Sequence, residues 1–204
     1  QGPRREEWLM GRLAAKDAAR DWYRLNAGVE LTPADVEIHS DSQGKPWLRC
    51  AAVPQIRPPS LSIAHSRRWA YAVASDSSVN LGLDYQRPDH VNTEDLITGG
   101  FAPTEHVWLQ AANDTDRARI ALSLWAAKEA AAKAAGSGLL GRPQDWQVTA
   151  AQLDRRSSGP TVARIRHGAY DYDIALHFEN SGAVLALCVT AAQHSPSPNP
   201  PSTA

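Results

Sequence analysis

The spacing of apolar side chains along the chain changes several times, and each spacing predicts a type of element. Apolar residues recur at helical intervals from Glu6 to Asn26, which predicts an amphipathic helix that ends near Gly28. The Ala-rich run from Asp116 to Ala135 predicts a second long helix. Short apolar or alternating runs between turn residues predict strands at 36–40, 61–66, 69–75, 81–85, 146–153, 161–166, 172–178 and 183–189.

The order of these elements is helix, strands, helices, strands, since a helical turn at 94–97 and a helix carrying 107–109 are also predicted in the middle. Such an order favours an α+β fold with antiparallel pairing over a parallel sheet. We expect two lobes, 4–79 and 80–192, each with strands and at least one helix. The Pro- and Ser-rich segment 193–204 is expected to be a disordered tail.

Composition narrows the class of partner. The 204 residues carry a formal net charge of -1, so no global field draws the protein to nucleic acid or to a membrane surface. No apolar run approaches the roughly 18 residues that span a bilayer, and no secretory signal is visible. The two cysteines, Cys50 and Cys188, form neither a metal motif nor a disulfide framework, although one disulfide stays open. A cytoplasmic protein is the simplest expectation.

One helical stretch combines charge with an aromatic side chain, namely Trp125-Ala-Ala-Lys128-Glu129-Ala-Ala-Ala-Lys133. On a helix, positions 125, 128, 129, 132 and 133 are expected to share a face. Asp84 follows the short apolar run Leu81-Gly-Leu, and Gln86 points to the same side of that strand. Two carboxylates can share one hard cation, and lysines beside them can hold phosphate oxygens. The pattern is therefore suited to chemistry on a pyrophosphate.

Each of these residues also has an ordinary interpretation. Glu129 and Lys133 have the spacing of the commonest ion pair on a helix surface, and Glu-Ala-Ala-Ala-Lys is the repeat of inert helical spacers. Asp84 could simply start a turn. Trp125 lies four residues before Glu129. A tryptophan on a charged helix face usually has a partner, which argues against an inert surface.

Basic side chains elsewhere are candidates for phosphate binding. His65 lies at a strand end, Lys45 lies in a turn, and Arg12, Lys16 and Arg20 recur every four residues. A histidine at a strand end is often only hydrogen-bonded, and a charged stripe is usually the solvated face of a helix. No Walker-type phosphate loop, dinucleotide fingerprint or Ser-His-Asp ordering is present.

Taken in order, four short motifs resemble those of the 4'-phosphopantetheinyl transferases of the surfactin-synthetase-activating type. The family has a Gly-Lys-Pro turn, a Ser-His-Ser strand end, a Gly-x-Asp-x-Glu strand and a Trp-x-x-Lys-Glu-Ala-x-x-Lys helix. The motifs here read Gly44-Lys45-Pro46, Ala64-His65-Ser66, Gly82-Leu-Asp84-Tyr-Gln86 and the 125–133 helix. The stretch 11–20 further resembles transferase domains that are integrated in polyketide synthases.

The resemblance implies a pseudo-dimer of two similar α+β lobes, each with an antiparallel sheet packed on a long helix. It implies coenzyme A in the cleft between them and Mg²⁺-dependent transfer of the phosphopantetheine arm to a serine of an acyl or peptidyl carrier protein. The released product would be adenosine 3',5'-bisphosphate. The protein would act as a monomer or as a domain of a larger synthase.

Site residues are implied position by position. Asp84, Gln86 and Glu129 would hold Mg²⁺, Lys133 would contact the pyrophosphate, and Glu129 is the best candidate base for the serine proton. Asp84, Glu129 and Lys133 would thus be the catalytic residues. The remaining implied contacts to coenzyme A, mainly at its 3'-phosphate and adenine end, are Arg12, Lys16, Lys45, His65, Ser66 and, beside Lys133, Lys128.

Two positions depart from the family pattern. Gln86 replaces an acidic residue, which removes one negative charge and predicts an enzyme that needs more Mg²⁺. Ala64 replaces a serine that is frequent there, which leaves His65 more responsible for phosphate binding.

The carrier protein is expected to dock on segment 87–112 through Val91, Leu96, Ile97 and Phe101, since the segment's own charge is mostly acidic. Two other functions stay open. The first is a docking module that binds a carrier without transferring the arm, and the second is another Mg²⁺-dependent enzyme such as a coenzyme A pyrophosphatase.

Overall fold

The computed structural model describes residues 3–90, 92–110, 114–154 and 159–192. The helices are α1 (Pro3–Ala27), α2 (Thr93–Gly100), α3 (Val107–Gln110) and α4 (Asp114–Ala135), and short 3₁₀ turns lie at Pro88–His90, Pro103–Glu105 and Pro143–Asp145. The strands are β1 (Val36–Ser40), β2 (Pro46–Cys50), β3 (Ser60–Ser66), β4 (Trp69–Ser75), β5 (Val79–Gln86), β6 (Gln147–Asp154), β7 (Gly159–His167), β8 (Tyr170–Phe178) and β9 (Val184–Ala191). The mixed α+β class expected from the order of elements is confirmed.

The first half of the chain packs α1 on two antiparallel hairpins, β1–β2 and β3–β4. Ala15, Ala19 and Tyr23 recur every four residues and form one buried stripe of α1, because that spacing returns to the same helix face. Strand β2 is absent from the sequence expectation. It begins at Pro46, a residue that strands tolerate at their first position, and it pairs with the whole of β1, from Val36↔Cys50 to Ser40↔Pro46.

The second half is one five-stranded antiparallel sheet, in the order β5-β9-β8-β7-β6, with α4 packed across it. Alanines dominate the buried side of α4, and their small side chains allow the helix axis to approach the sheet closely. Gly82 on β5 extends this close approach. A Cβ at that position would lie 2.6 Å from the Ala134 amide nitrogen and closer still to the Ala130 carbonyl oxygen. The glycine therefore brings Asp84, two residues on, against the last turns of α4.

Strands β3 and β5 join the two halves. Ser62 on β3 accepts a hydrogen bond from the backbone amide of Leu83 on β5 at 2.9 Å. On the other side of this junction, Tyr71 and Tyr85 both donate to the carboxylate of Glu179, at 2.8 and 3.1 Å. These hydrogen bonds hold the halves at a fixed distance and leave a cleft between α1, β3, β5 and α4.

Other expectations have mixed outcomes. The turn expected at 94–97 is a full helix, α2, whose first amides are capped by the side chain of Asn92. Cys50 and Cys188 are both free and buried. In the described ranges, no helix is long and apolar enough to span a bilayer. The boundary between lobes 4–79 and 80–192 stays a prediction, and the tail 193–204 lies outside the described residues.

Candidate functional site

Asp84 is a buried carboxylate on β5, next to Lys133 of α4. It is 6% exposed, and Lys133 of α4 donates to its Oδ1 at 2.7 Å and to the Leu83 carbonyl oxygen at 2.9 Å. The amide nitrogen of Gln86 donates to Asp84 Oδ2 at 2.9 Å. Both carboxylate oxygens are thus engaged, and the side chain is fixed from both sides.

Glu129 lies one helical turn before Lys133 and faces the same carboxylate. Burial raises the pKa of Glu129, the negative charge of Asp84 raises it further, and the positive charge of Lys133 lowers it. The charge of Asp84 acts on Glu129 because β5 and α4 approach so closely at Gly82. The sequence prediction that these two carboxylates come together therefore agrees with this geometry.

The donor set suits a hard divalent cation. Asp84, Glu129 and the amide of Gln86 offer oxygen atoms, which Mg²⁺ prefers, and Mg²⁺ needs only one or two carboxylates because it keeps several waters. Among the described residues, no group of three or more His, Cys, Asp and Glu side chains could hold a metal. Gln86 stands where a third carboxylate would complete such a group. Its nitrogen now faces Asp84, so the amide would have to turn for its oxygen to face a cation.

A cavity of about 380 Å³ opens beside this cluster. Four of the predicted site residues line it, namely Arg12, Lys45, His65 and Lys133. Lys45 is held by a hydrogen bond of 3.1 Å to the side chain of Asn80. Three fixed cations and an exposed imidazole around one cavity make a site for an anion.

Arg12 is fixed more firmly than an exposed arginine. Its guanidinium donates to the His39 carbonyl oxygen at 2.9 Å and to Ser40 Oγ at 2.8 Å. Partial burial lowers the pKa of Arg12, and the group stays charged because an arginine pKa begins above 12. These contacts orient Arg12 along the wall of the cavity.

Glycines form the rest of the wall near Lys133. Gly136 and Gly138 end α4 with positive φ angles of 81° and 64°, and the Gly138 amide donates to the Ala132 carbonyl oxygen at 3.1 Å. Both residues line the cavity. Because neither has a side chain, the space beside Lys133 stays open.

Six predicted site residues do not line this cavity, namely Asp84, Gln86 and Glu129 of the acidic cluster, and Lys128, Lys16 and Ser66. Lys16 donates to the carbonyl oxygen of Pro33 at 2.7 Å and does not line the cavity. Ser66 follows His65 at the end of β3 and is likewise absent from the lining residues. The position of Ser66 follows from the alternation of side chains along a strand, since neighbouring residues such as His65 and Ser66 point to opposite faces.

Lys128 differs most from its expected place beside Lys133. It is 0% exposed, and its ammonium donates to Glu105 at 2.8 Å and to the carbonyl oxygens of Gly100 and Pro143 at 2.8 and 3.2 Å. Burial lowers the pKa of Lys128, and Glu105 opposes that change. Positions 128 and 133 are five residues apart, or about 140° around a helix. The expectation that Lys128 lies beside Lys133 and faces the same ligand was therefore wrong.

The apolar contacts expected on segment 87–112 need a similar correction. Phe101 is 1% exposed and lies 4.5 Å from the Lys128 ammonium, and Ile97 is also buried. Both belong to the core formed with α4. Leu96 is half-buried, and Val91 lies outside the described residues. Phe101 and Ile97 thus hold α2 on α4 and do not face a partner.

Sequence reasoning missed three features of the cavity wall, namely Glu7, Trp8 and Gly11. They precede Arg12 by five, four and one residues, so helical spacing from Arg12 could have identified Trp8. Glu105 was also missed. No motif signals its role, because its partners Lys128, Ala102 and Val148 come from three separate segments.

Known proteins similar to this chain belong to one family. The family model described as the 4'-phosphopantetheinyl transferase superfamily matches residues 80–188. The chain is similar to a 4'-phosphopantetheinyl transferase of Bacillus subtilis, at 28% identity over 131 residues, which are 64% of this chain and 52% of that protein. It is also similar to a holo-(acyl-carrier-protein) synthase of Bacillus subtilis strain 168, at 36% identity over 69 residues, or 34% of this chain and 56% of the synthase. The chain spans about half the length of these curated relatives.

Proposed function

Because the chain belongs to the 4'-phosphopantetheinyl transferase superfamily, we propose that it moves the phosphopantetheine arm of coenzyme A to a serine hydroxyl of a carrier protein. The bond that forms joins the serine oxygen to the β-phosphorus of coenzyme A. The bond that breaks is the pyrophosphate link, and adenosine 3',5'-bisphosphate leaves. Attachment of the arm to the serine converts the carrier from its apo form to its holo form.

The observation that carries this proposal is the contact of Asp84 and Glu129 with Lys133, which also lines a cavity that holds Arg12 and Lys45. A pyrophosphate needs positive charge on its oxygens and a group that accepts the proton of the attacking hydroxyl. Lys133 supplies the first and Glu129 the second, and the cavity supplies room for the nucleotide. An inert ion pair on a helix surface would need none of these surroundings.

Coenzyme A would lie with its pyrophosphate at Lys133 and its 3'-phosphate among the other cations. Lys45 and His65 line the cavity next to Lys133, and Arg12 lies on its α1 wall. We assign the 3'-phosphate to Lys45 and His65. Lys16 and Ser66 lie outside the wall and would contact only the solvent-facing side of the nucleotide.

Asp84 and Glu129, with the amide oxygen of Gln86, would hold Mg²⁺. When held there, such an ion would supply positive charge to phosphate oxygens. Lys133 binds a non-bridging oxygen and stabilises the charge that develops on the leaving phosphate. Glu129, whose pKa burial and the charge of Asp84 raise in the metal-free protein, would accept the serine proton.

Several finer assignments belong to the same proposal. The resemblance of the motifs to the surfactin-synthetase-activating type supports two similar lobes, divided near residue 80, and a monomer or a domain of a polyketide synthase. Free buried cysteines are in keeping with a cytoplasmic protein. The carrier would approach segment 87–110 at the half-buried Leu96, the one apolar residue expected there that the structure describes as partly exposed.

The test measures adenosine 3',5'-bisphosphate by chromatography after incubation with coenzyme A and Mg²⁺, with and without a carrier protein. The proposal predicts that the bisphosphate forms only when the carrier is present and that its amount equals the amount of modified carrier. Bisphosphate released without carrier would identify a coenzyme A pyrophosphatase instead. A carrier that binds but is never modified would identify a docking module.

A further inference from the structure

Trp8 is an exposed tryptophan on the wall of a cavity that is otherwise cationic. It is 55% exposed, and it lines the cavity together with Glu7 and Arg12. The Arg12 guanidinium lies 5.1 Å from the centre of the indole ring and covers one of its faces. Exposing so large an apolar ring costs free energy. A ring that is fixed on one face and solvated elsewhere offers a platform for a flat ligand group.

Charge is distributed unevenly along the same cavity. Lys133 and Lys45 line the part near the end of α4, whereas Glu7 and Trp8 line the part formed by α1, and His65 lies close to Gly11 of the same helix. A carboxylate repels phosphate, so Glu7 disfavours a phosphate group at its end of the cavity. Arg12, the cation nearest to Trp8, already donates to His39 and Ser40. The α1 end is therefore suited to a planar, uncharged group.

The glycine at position 11 allows α1 to pack closely on β3 at this end of the cavity. A Cβ there would lie 3.1 Å from the side chain of Ile63 and 4.0 Å from the ring of His65. Gly11 is one turn beyond Glu7 on α1 and lines the cavity together with Trp8 and His65. The imidazole and the indole therefore belong to the same end of the cavity.

We propose that Trp8 is the stacking platform for the adenine base of coenzyme A. The assignment rests on the proposed function, because it uses coenzyme A as the ligand of this cavity. It adds a specificity-determining residue at the nucleotide end, opposite to Lys133. Aromatic side chains stack on bases in this way in many proteins, and an arginine behind the ring strengthens the contact.

The experiment measures dissociation constants by calorimetry for wild-type protein, Trp8→Ala and Trp8→Phe with three ligands. These are coenzyme A, adenosine 3',5'-bisphosphate and 4'-phosphopantetheine, which lacks the nucleoside. Trp8→Ala should weaken the two adenine ligands about tenfold, which corresponds to about 1.4 kcal/mol. Binding of 4'-phosphopantetheine should stay unchanged. Trp8→Phe keeps an aromatic ring, so its constants should stay within about threefold of the wild type.

Trp69→Ala is the matched control. Trp69 is exposed to a similar extent, 51%, but it does not line the cavity, so its removal should leave all three constants unchanged. Unchanged binding of adenosine 3',5'-bisphosphate to Trp8→Ala, or equal losses in Trp8→Phe and Trp8→Ala, would overturn the role of Trp8. If the wild-type protein does not bind coenzyme A, the proposed function itself fails.

Discussion

Gly82→Ala tests the close approach of β5 and α4, on which the position of Asp84 depends. The added Cβ would lie 2.6 Å from the amide nitrogen of Ala134 and closer still to the carbonyl oxygen of Ala130. Both atoms belong to the helix backbone and cannot rotate away. Because ordinary contacts of a Cβ begin at 3.4 Å, α4 must move away from β5 by at least about 0.8 Å.

This displacement acts directly on the candidate active site. Asp84 moves with β5, whereas Glu129 and Lys133 move with α4, so the 2.7 Å ion pair between Asp84 and Lys133 must lengthen or reorient. A misplacement of about 1 Å can cost about 100-fold in rate. We expect kcat/KM to fall about 100-fold, and we expect overpacking to destabilise the fold by about 1–3 kcal/mol.

The assay combines urea unfolding with steady-state transfer of the phosphopantetheine arm to a carrier protein. Gly99→Ala is the matched control, because a Cβ at Gly99 in α2 meets no atom within 4 Å. Because Gly99 lies in the segment proposed to contact the carrier, its readout is stability alone: the substitution should stabilise the protein slightly, since alanine favours a helix over glycine. If Gly82→Ala keeps its stability and its kcat/KM within twofold of the wild type, the close approach does not set the active geometry.

Three further predictions concern charged or polar groups. Lys128→Met should destabilise the fold by about 3–5 kcal/mol, because it leaves the buried carboxylate of Glu105 without its cation. Adding Glu105→Gln should recover part of that loss in urea unfolding, and no recovery would argue against the ion pair. Glu129→Gln should raise the Tm at pH 8 in metal-free buffer. Folding raises the pKa of Glu129, so the wild type loses stability as the pH rises through that pKa, whereas glutamine does not titrate. The Tm advantage should shrink as pH falls below the unfolded pKa of glutamate, and a constant advantage at every pH would contradict the linkage. Gln86→Glu should lower the Mg²⁺ concentration for half-maximal activity, since it adds a third carboxylate, and an unchanged concentration would refute that role.

The elements that the sequence predicted well are those whose own periodicity carries the signal. Strands β8 and β9 of the large sheet alternate between buried and less buried residues. Helix α1 was predicted from Trp8, Ala15, Ala18, Trp22 and Leu25; its range is right, but the buried stripe is Ala15, Ala19 and Tyr23, and Trp8 and Leu25 are exposed. Strand β2 was not predicted, because Pro46 and the exposed Trp47 hide its alternation. Its pairing with β1, which a local pattern does not encode, is what makes it a strand.

For the candidate site, the order of the motifs predicted that Asp84, Glu129 and Lys133 act together. The search for basic side chains near them identified Arg12, Lys45 and His65. Lys128 could not be assigned in this way, because a lysine next to a site residue has the same sequence signature whether it faces the cleft or the core. Its partner Glu105 is distant in sequence, and burial against Phe101 and α2 decides the outcome. Long-range packing thus determines what the local pattern leaves open.

The central claim is that Asp84, Glu129 and Lys133 form a site that transfers the phosphopantetheine arm. Its most direct test is the intact mass of a carrier domain after incubation with this protein, coenzyme A and Mg²⁺, beside the same carrier with its acceptor serine changed to alanine. We expect the serine carrier to gain the mass of one phosphopantetheine arm and the alanine carrier to gain none. A serine carrier of unchanged mass, in a reaction where the protein is folded and binds coenzyme A, would contradict it.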